Sequence, residues 1–318
     1  MSNIAFADRL EIGERWTSGA LSMWPLLGGR EARLDYATLD EALESGRFHI
    51  HEVGEQGSVP QLQVENRLDR PVLLLDGEEL VGAKQNRVLN LSIMVPAQAA
   101  LTVPVSCVEA GRWRYKSRGF SSSGRTQFAR GRARKAQQVS FSLRERGQAF
   151  ASQSDVWNEI ENKARRMGVR SATGSMSDIY ESKQPVLEGI IAAAPRHERQ
   201  VGAVFAICDR IAGIELFDRP DVYARLAPRV ISGYALDALD TNPAEAPIGP
   251  ERAIGPAEFL SAVADVPVER RAAIGLGEDV RLDGGELVGA GLLVDGAPIH
   301  LVAFAVAVAC PSFGAFPG

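Results

Sequence analysis

Over Leu89–Val95 and again over Leu101–Val108 side chains alternate in character at every second position, a rhythm that commits this part of the chain to β-structure. Leu89, Leu91, Ile93 and Val95 alternate with Asn90, Ser92 and Met94. Leu101, Val103, Val105, Cys107 and Glu109 then share one face, with Thr102, Pro104, Ser106 and Val108 on the other. A period of two belongs to a strand, because successive side chains point to opposite sides of the backbone. The intervening Pro96-Ala-Gln-Ala-Ala predicts a connection, so the two runs are expected to pair as an antiparallel hairpin. Pro104 has no N–H for a ladder and predicts an edge or a bulge. Upstream, Val72–Leu75 reads as a short buried strand closed by the Asp76-Gly77 turn.

Helical signals follow. Ser152-x-x-Asp155 resembles a capping box ahead of Val156, Trp157, Ile160, Ala164 and Met167 on one face, and Gly168 is placed to end the helix. Ser175-x-x-Asp178 predicts another start, with Pro185 expected to break or kink it. Val201, Ala203, Phe205 and Ile207 predict a strand, Asp209-Arg210 a turn, and Ile211–Phe217 its return. Asp218 and Pro220 then predict a helix start, with a bend at Pro228. Residues 241–256 read as a surface connection, and strands return at 279–282, 286–294 and 299–308. DGEELVGA at 76–83 is echoed by DGGELVGA at 283–290. Either two related hairpins or a common turn-and-strand composition accounts for it.

The expected fold class is therefore α+β: an antiparallel β-rich part over 1–111, a basic flexible loop over 112–140, and a mixed α/β part over 141–318 that completes a shared core. With 318 residues the chain can bury a core of that size, and 45% hydrophobic against 24% charged residues argues against wholesale disorder. The net charge of −5 weighs against general coating of nucleic acid. Against that background Arg112 to Lys135 stands out, with nine basic residues and no acidic one. Cys107, Cys208 and Cys310 form no CxxC pair, which predicts free thiols in a reducing compartment, each a small buried hydrophobe. No secretory signal is visible at the start, and the longest apolar run, 301–310, is too short to span a membrane. A cytoplasmic protein is expected.

No Walker loop, HExxH or GxSxG pattern occurs. His49-x-His51 could share one strand face, but a solvent-facing pair opposite Phe48 and Ile50 explains it as well, and no metal site is expected. The segment from Asp76 to Val88 carries more chemistry. Glu78 and Glu79 can accept from hydroxyls or act as acid or base, while Lys84 and Arg87 can hold an anion. Gln85 and Asn86 offer donors and acceptors. On a strand Lys84 and Asn86 would share one face and Gln85 and Arg87 the other. A charged edge that discourages aggregation is the competing reading. Nearby, Glu109 needs a partner, Arg112 can supply it, and Trp113 could cover the pair or stack on a base. The Ser-Ser-Ser-Gly-Arg-Thr run could present donors and an arginine to phosphate. Glu215 is a lone acid among apolar neighbours, and His300 lies between Ile299 and Leu301.

Taken together, GEELVGAKQNR (77–87), VSCVEAGRW (105–113), SDVWNEI (154–160), GIELFD (213–218), SGYALDAL (232–239) and IHLVAF (299–304) resemble the ARG and rhodanese-phosphatase-superfamily-associated protein domain family, where ARG denotes ADP-ribosylglycohydrolase. The resemblance implies a link to nucleotide, ADP-ribose or related phosphate metabolism. It also raises residues 78–87, Glu109, Arg112, Trp113, Glu215 and His300 as candidates for one cleft. In that reading Glu78, Glu79 or Glu215 would contact hydroxyls or move protons. Lys84, Arg87 or Arg112 would hold the anion, with Gln85, Asn86, Glu109 and His300 alongside. Catalyst and sensor both stay open, and no cofactor is named. The alternative is a binding module in which loop 112–135 engages nucleic acid or an acidic protein. A homo-oligomeric scaffold is the third reading.

Overall fold

The computed structural model describes residues 10–28, 34–54, 57–240 and 254–306. Among these, eighteen strands and six helices form an α+β architecture, and every strand pair but one is antiparallel. The helices are α1 (Leu39–Glu44), α2 (Ala129–Arg146), α3 (Gln153–Arg166), α4 (Met176–Ala193), α5 (Pro220–Leu239) and α6 (Pro256–Asp265).

The largest sheet has nine strands, with Leu21–Gly28, Gln200–Ile207, Arg210–Phe217 and Ala297–Ala305 adjacent at its centre. Its central strands are apolar at nearly every position because both faces are covered. Ala203, Phe205 and Ile207 pack in the core that includes Tyr223, Tyr234 and Ala235 of α5. Val204 and Ala206 point the other way, into the core that includes Phe259, Leu260 and Val263 of α6. The hairpin between 207 and 210 turns on Cys208 and Asp209, both with positive φ (50° and 61°). The turn thus begins one residue earlier than the sequence suggests, and it leaves Cys208 exposed rather than buried. Cys310 lies outside the described residues.

A six-stranded sheet runs in the order Phe120–Thr126, Glu78–Gly82, Arg87–Leu89, Ala99–Cys107, Gln61–Asn66, Phe48–Glu52. Ala99–Cys107 changes partner along its length: Ala99 to Pro104 pair with Gln61–Asn66, and Val105 to Cys107 pair with Arg87–Leu89. Pro104, lacking an N–H, marks that handover. The single strand expected over 89–95 is divided. Buried Asn90 gives its amide to Ala149 O (3.0 Å) and accepts from Ser106 Oγ (2.9 Å), so the backbone leaves the ladder there. Ile93–Val95 then joins Val72–Leu74 and Ala37–Thr38 in a three-stranded sheet.

The basic stretch is ordered structure. Phe120–Thr126 is an edge strand on Glu78–Gly82, and α2 begins at Ala129. Ala129, Ala133, Ala136 and Val139 form a buried helical stripe that the dense arginines conceal when only charge is counted. Arg132 and Lys135 lie on that buried face too. Pro185 stays inside α4 without ending it, in an exposed stretch of the helix. The helix after Arg210–Phe217 has Arg219 at its N-cap position without a side-chain cap, and Asp218 instead accepts from the Tyr36 hydroxyl at 2.5 Å. The two echoed segments belong to different sheets, each reached through a glycine of positive φ (Gly77 at 82°, Gly285 at 79°).

Gly82 is where the small sheet meets the 113–119 loop. Its φ is 131°, and a Cβ there would sit 2.5 Å from Gly119 O and 2.6 Å from Ser117 Oγ. Gly82→Ala is expected to cost about 1–3 kcal/mol, read from urea unfolding. A variant as stable as the parent would show that the loop yields freely.

Candidate functional site

Glu215 and His300 stand next to each other at the centre of the nine-stranded sheet, on paired strands. Both are fully buried, and His300 Nε2 is 2.9 Å from Glu215 Oε2. The other His300 nitrogen meets Ser92 Oγ at 2.9 Å. Arg132 of α2 pairs with Glu215 and also reaches Asp76 Oδ2 at 3.3 Å, while Lys135 Nζ sits 2.9 Å from Asp76 Oδ1. Burial alone would raise the Asp76 carboxyl, but Lys135 and Arg132 hold it below the usual carboxylate range. This is an internal ion network that fastens α2 between the two sheets. Glu215 and His300 spend their polar atoms within it.

Glu78 points to a second cluster. It accepts from Leu75 N at 2.8 Å and pairs with Arg229 of α5, which also holds Asp40 of α1. Burial pushes the Glu78 carboxyl up to about 7, against the pull of Arg229.

Glu79, the next residue, faces the opposite way, under a polar recess of about 350 Å³. The recess lies where strands Glu78–Gly82 and Phe120–Thr126 meet the start of α4. Asn86, Glu109, Ser175 and Ser177 form its buried floor. Ser123 and Arg125 line its wall, and exposed Lys116 and Glu181 its mouth. Ser177 Oγ donates to Glu79 Oε1 at 2.8 Å, and Asn86 Nδ2 donates to Ser177 Oγ at 3.4 Å. Burial pushes the Glu79 carboxyl up, opposed by hydrogen bonds from Ser177 and Ser123. Glu109 receives Arg112 Nη2 at 2.7 Å, Asn86 N at 3.1 Å and Thr173 Oγ1 at 3.0 Å. Burial opposes its ionisation, but these donors prevail and its carboxyl lies below the ordinary range. Arg112 is spent behind the floor: it also donates to Ala83 O, Gly82 O and Asn86 Oδ1.

The remaining residues of the 84–87 run lie away from the recess. Arg87 is wholly buried, donates to Gln85 Oε1 at 3.0 Å and lies 5.7 Å from the Trp113 ring. Gln85 donates to Glu109 O at 3.0 Å. Lys84 sits over the rings of Trp113 and Tyr115, at 5.3 and 5.1 Å. The structure thus brings together Glu79, Asn86, Glu109 and Arg112, and sets Glu78, Lys84, Gln85, Arg87, Trp113, Glu215 and His300 elsewhere. Arg125 and Ser123 come from the serine–arginine run read as phosphate donors. Ser175 reads in the sequence only as a helix start, and Ser177 carries no motif of its own. The cluster of small hydroxyl residues in 171–178 is the only local signal for them.

His49 and His51 lie on the more open face of their strand, opposite buried Phe48 and Ile50. Among the described residues no three His, Cys, Asp or Glu side chains are grouped to hold a metal, and no helix is long and apolar enough to cross a membrane. Burial pushes the Cys107 thiol up, so it rests protonated.

An α+β protein with a mixed-charge recess between a small antiparallel sheet and a helix start is the class that fold and site define. The chain belongs to the ARG and Rhodanese-Phosphatase-superfamily-associated Protein domain family, ARPP-1, which it matches over residues 9–304. No curated protein and no solved structure matches it. The family's description records an association with the ARG and rhodanese-phosphatase superfamilies, which suggests a link to phosphate or ADP-ribose metabolism.

Proposed function

We propose that the recess binds a phosphorylated, hydroxyl-rich ligand of the nucleotide or ADP-ribose kind. The observation that carries this is the lining: the cations Lys116 and Arg125 stand with the hydroxyls of Ser123, Ser175 and Ser177 and the carboxylates of Glu109, Asp178 and Glu181. Lys116 and Arg125 would meet the phosphate oxygens. Ser175, Ser177, Glu109 and the Asn86 amide would meet sugar hydroxyls. The family's association with ADP-ribose chemistry points the same way.

The layout of the basic stretch weighs against the nucleic-acid alternative. Arg112, Arg132 and Lys135 are buried, and Arg134 is paired with Glu159. Four of the nine charges are thereby withdrawn and Arg125 also faces Glu181 at 3.7 Å, which interrupts a continuous cationic face.

A thermal-shift series with ADP-ribose, adenine nucleotides and sugar phosphates tests the proposal. A ligand at a hundred times its Kd adds about 2.7 kcal/mol to stability, enough to raise the midpoint by several degrees. Arg125→Ala and Lys116→Ala should abolish the rise, whereas Arg87→Ala should leave the ligand-dependent part intact. A rise that survives both rim variants, or none with any of these ligands, refutes the binding site.

A further inference from the structure

The hydroxyl of Ser177 has neighbours that decide where its proton must go. Its oxygen is 2.8 Å from Glu79 Oε1 and 3.4 Å from Asn86 Nδ2, and it lines the recess. Glu79 is wholly buried, its Oε2 has no hydrogen-bond partner, and the groups it meets at hydrogen-bond distance are hydroxyls. Such a carboxyl is easier to keep protonated than ionised. Once protonated, it donates to Ser177 Oγ. The Asn86 amide fills the other lone pair, and the Ser177 hydrogen is free to point into the recess.

Glu109, on the same floor, has opposite surroundings. Three donors converge on its carboxylate, one of them the Arg112 guanidinium. Asn86 joins the two acids: its backbone N–H goes to Glu109 and its side chain to Ser177. Two acids thus meet the recess with opposite shifts, Glu79 beneath it pushed up by burial and Glu109 on its floor held down by its donors, the condition for a division into proton donor and proton acceptor.

The geometry points to an acid–base centre that hydrolyses the glycosidic bond of a phosphorylated sugar, with Ser177 relaying the proton of Glu79 to the leaving oxygen and Glu109 taking a proton from the attacking water. The inference rests on the recess being the ligand site proposed above. The bond between the anomeric carbon and the leaving oxygen breaks, and its electron pair stays with that oxygen. The oxygen takes the Ser177 proton while Ser177 takes that of Glu79. Water forms the new bond to the anomeric carbon and passes a proton to Glu109, and solvent carries one proton from Glu109 back to Glu79. Glu79 acts through Ser177 and is a positioning residue, while Ser177 and Glu109 meet the reacting atoms.

The charge layout favours an acetal over a phosphate ester. Cleaving an acetal builds positive charge on carbon, which the carboxylates of Glu109, Asp178 and Glu181 around the recess stabilise. Phosphoryl transfer spreads negative charge over oxygens and needs unspent cations beside it. Here Arg112, behind the floor, is already committed to Glu109, Asn86 and three backbone carbonyls, and Lys116 and Arg125 belong to the wall and mouth.

The test compares methyl and 4-nitrophenyl ribofuranoside 5-phosphates, with the ADP-ribose thermal shift measured on every variant. The parent protein should hydrolyse both glycosides. Methoxide needs a proton to leave and nitrophenolate does not. Glu79→Gln and Ser177→Ala should therefore lose about 10²–10⁴-fold on the methyl compound while staying within about tenfold on the nitrophenyl one. Glu109→Gln should slow both, with azide restoring the nitrophenyl reaction. Equal losses on both glycosides in Glu79→Gln and Ser177→Ala would make the relay structural and overturn the inference. A parent that shows the ligand shift but cleaves neither glycoside overturns the hydrolytic centre and leaves the binding site standing. Absence of any ligand shift removes both.

Discussion

Arg132→Met should unfold at a far lower urea concentration than the parent protein, by about 3–5 kcal/mol, with the slope of the transition unchanged. Arg132 is about 1% exposed and serves two carboxylates, Glu215 and Asp76, while its guanidinium lies 5.3 Å from the Phe304 ring. Methionine fills much of the volume but cannot answer either charge. Asp76 would keep Lys135, and Glu215 would keep only His300. An unanswered buried charge costs far more than the pair gains when intact. Adding Glu215→Gln to Arg132→Met removes one stranded charge and should recover part of the loss, a coupling that a double-mutant cycle measures. A loss below about 1 kcal/mol would show that solvent reaches this network. Because the network lies apart from the recess, the ligand-dependent thermal shift should persist in folded Arg132→Met.

That separation also shows what a sequence can and cannot convey here. The alternation in 101–107 and 201–207 states which side chains share a face, and in the structure Phe205 and Val204 do serve different cores. Parity fails at 84–87, because residues 83–86 turn between strands Glu78–Gly82 and Arg87–Leu89: Asn86 lines the recess, while Lys84, expected on its face, sits over Trp113 and Tyr115. The cap at Ser152 is local, and its side chain accepts from Asp155 N as the spacing implies. Partners across long separations leave no such trace. Glu215 reads as a lone acid among apolar neighbours, and its cation arrives on a helix 83 positions earlier in the chain. Charge density in 112–135 conceals the alanine stripe of α2, because a helix that buries its arginines against carboxylates has the composition of a solvated loop. Ser177 gains its role from the strand beneath it, 98 positions away.

The pH dependence of stability should differ between the parent and Glu78→Gln in a defined window. Burial pushes the Glu78 carboxyl up to about 7 from an ordinary value of 4.5. A carboxyl whose folded value lies above its unfolded one holds its proton more tightly when the chain is folded. Its contribution to stability is full below about 4.5 and is lost as pH climbs through about 7, where the folded protein must carry the ionised form. Glutamine does not titrate. The stability of Glu78→Gln minus that of the parent should therefore rise by roughly 3 kcal/mol between pH 4.5 and 8. Asp76 and Glu109, whose carboxyls are depressed, contribute the opposite slope: their stability is present above the unfolded carboxylate range and lost on acidification. They titrate in both proteins and cancel in the difference. The opposing argument is the close Arg229 contact, which favours an ionised Glu78, and Arg229 is shared with half-exposed Asp40. If Arg229 dominates, the difference curve is flat from pH 5 upward and bends only in acid. A rise centred between 5 and 7 means that burial prevails and that Glu78 meets Arg229 as a neutral acid over much of that range.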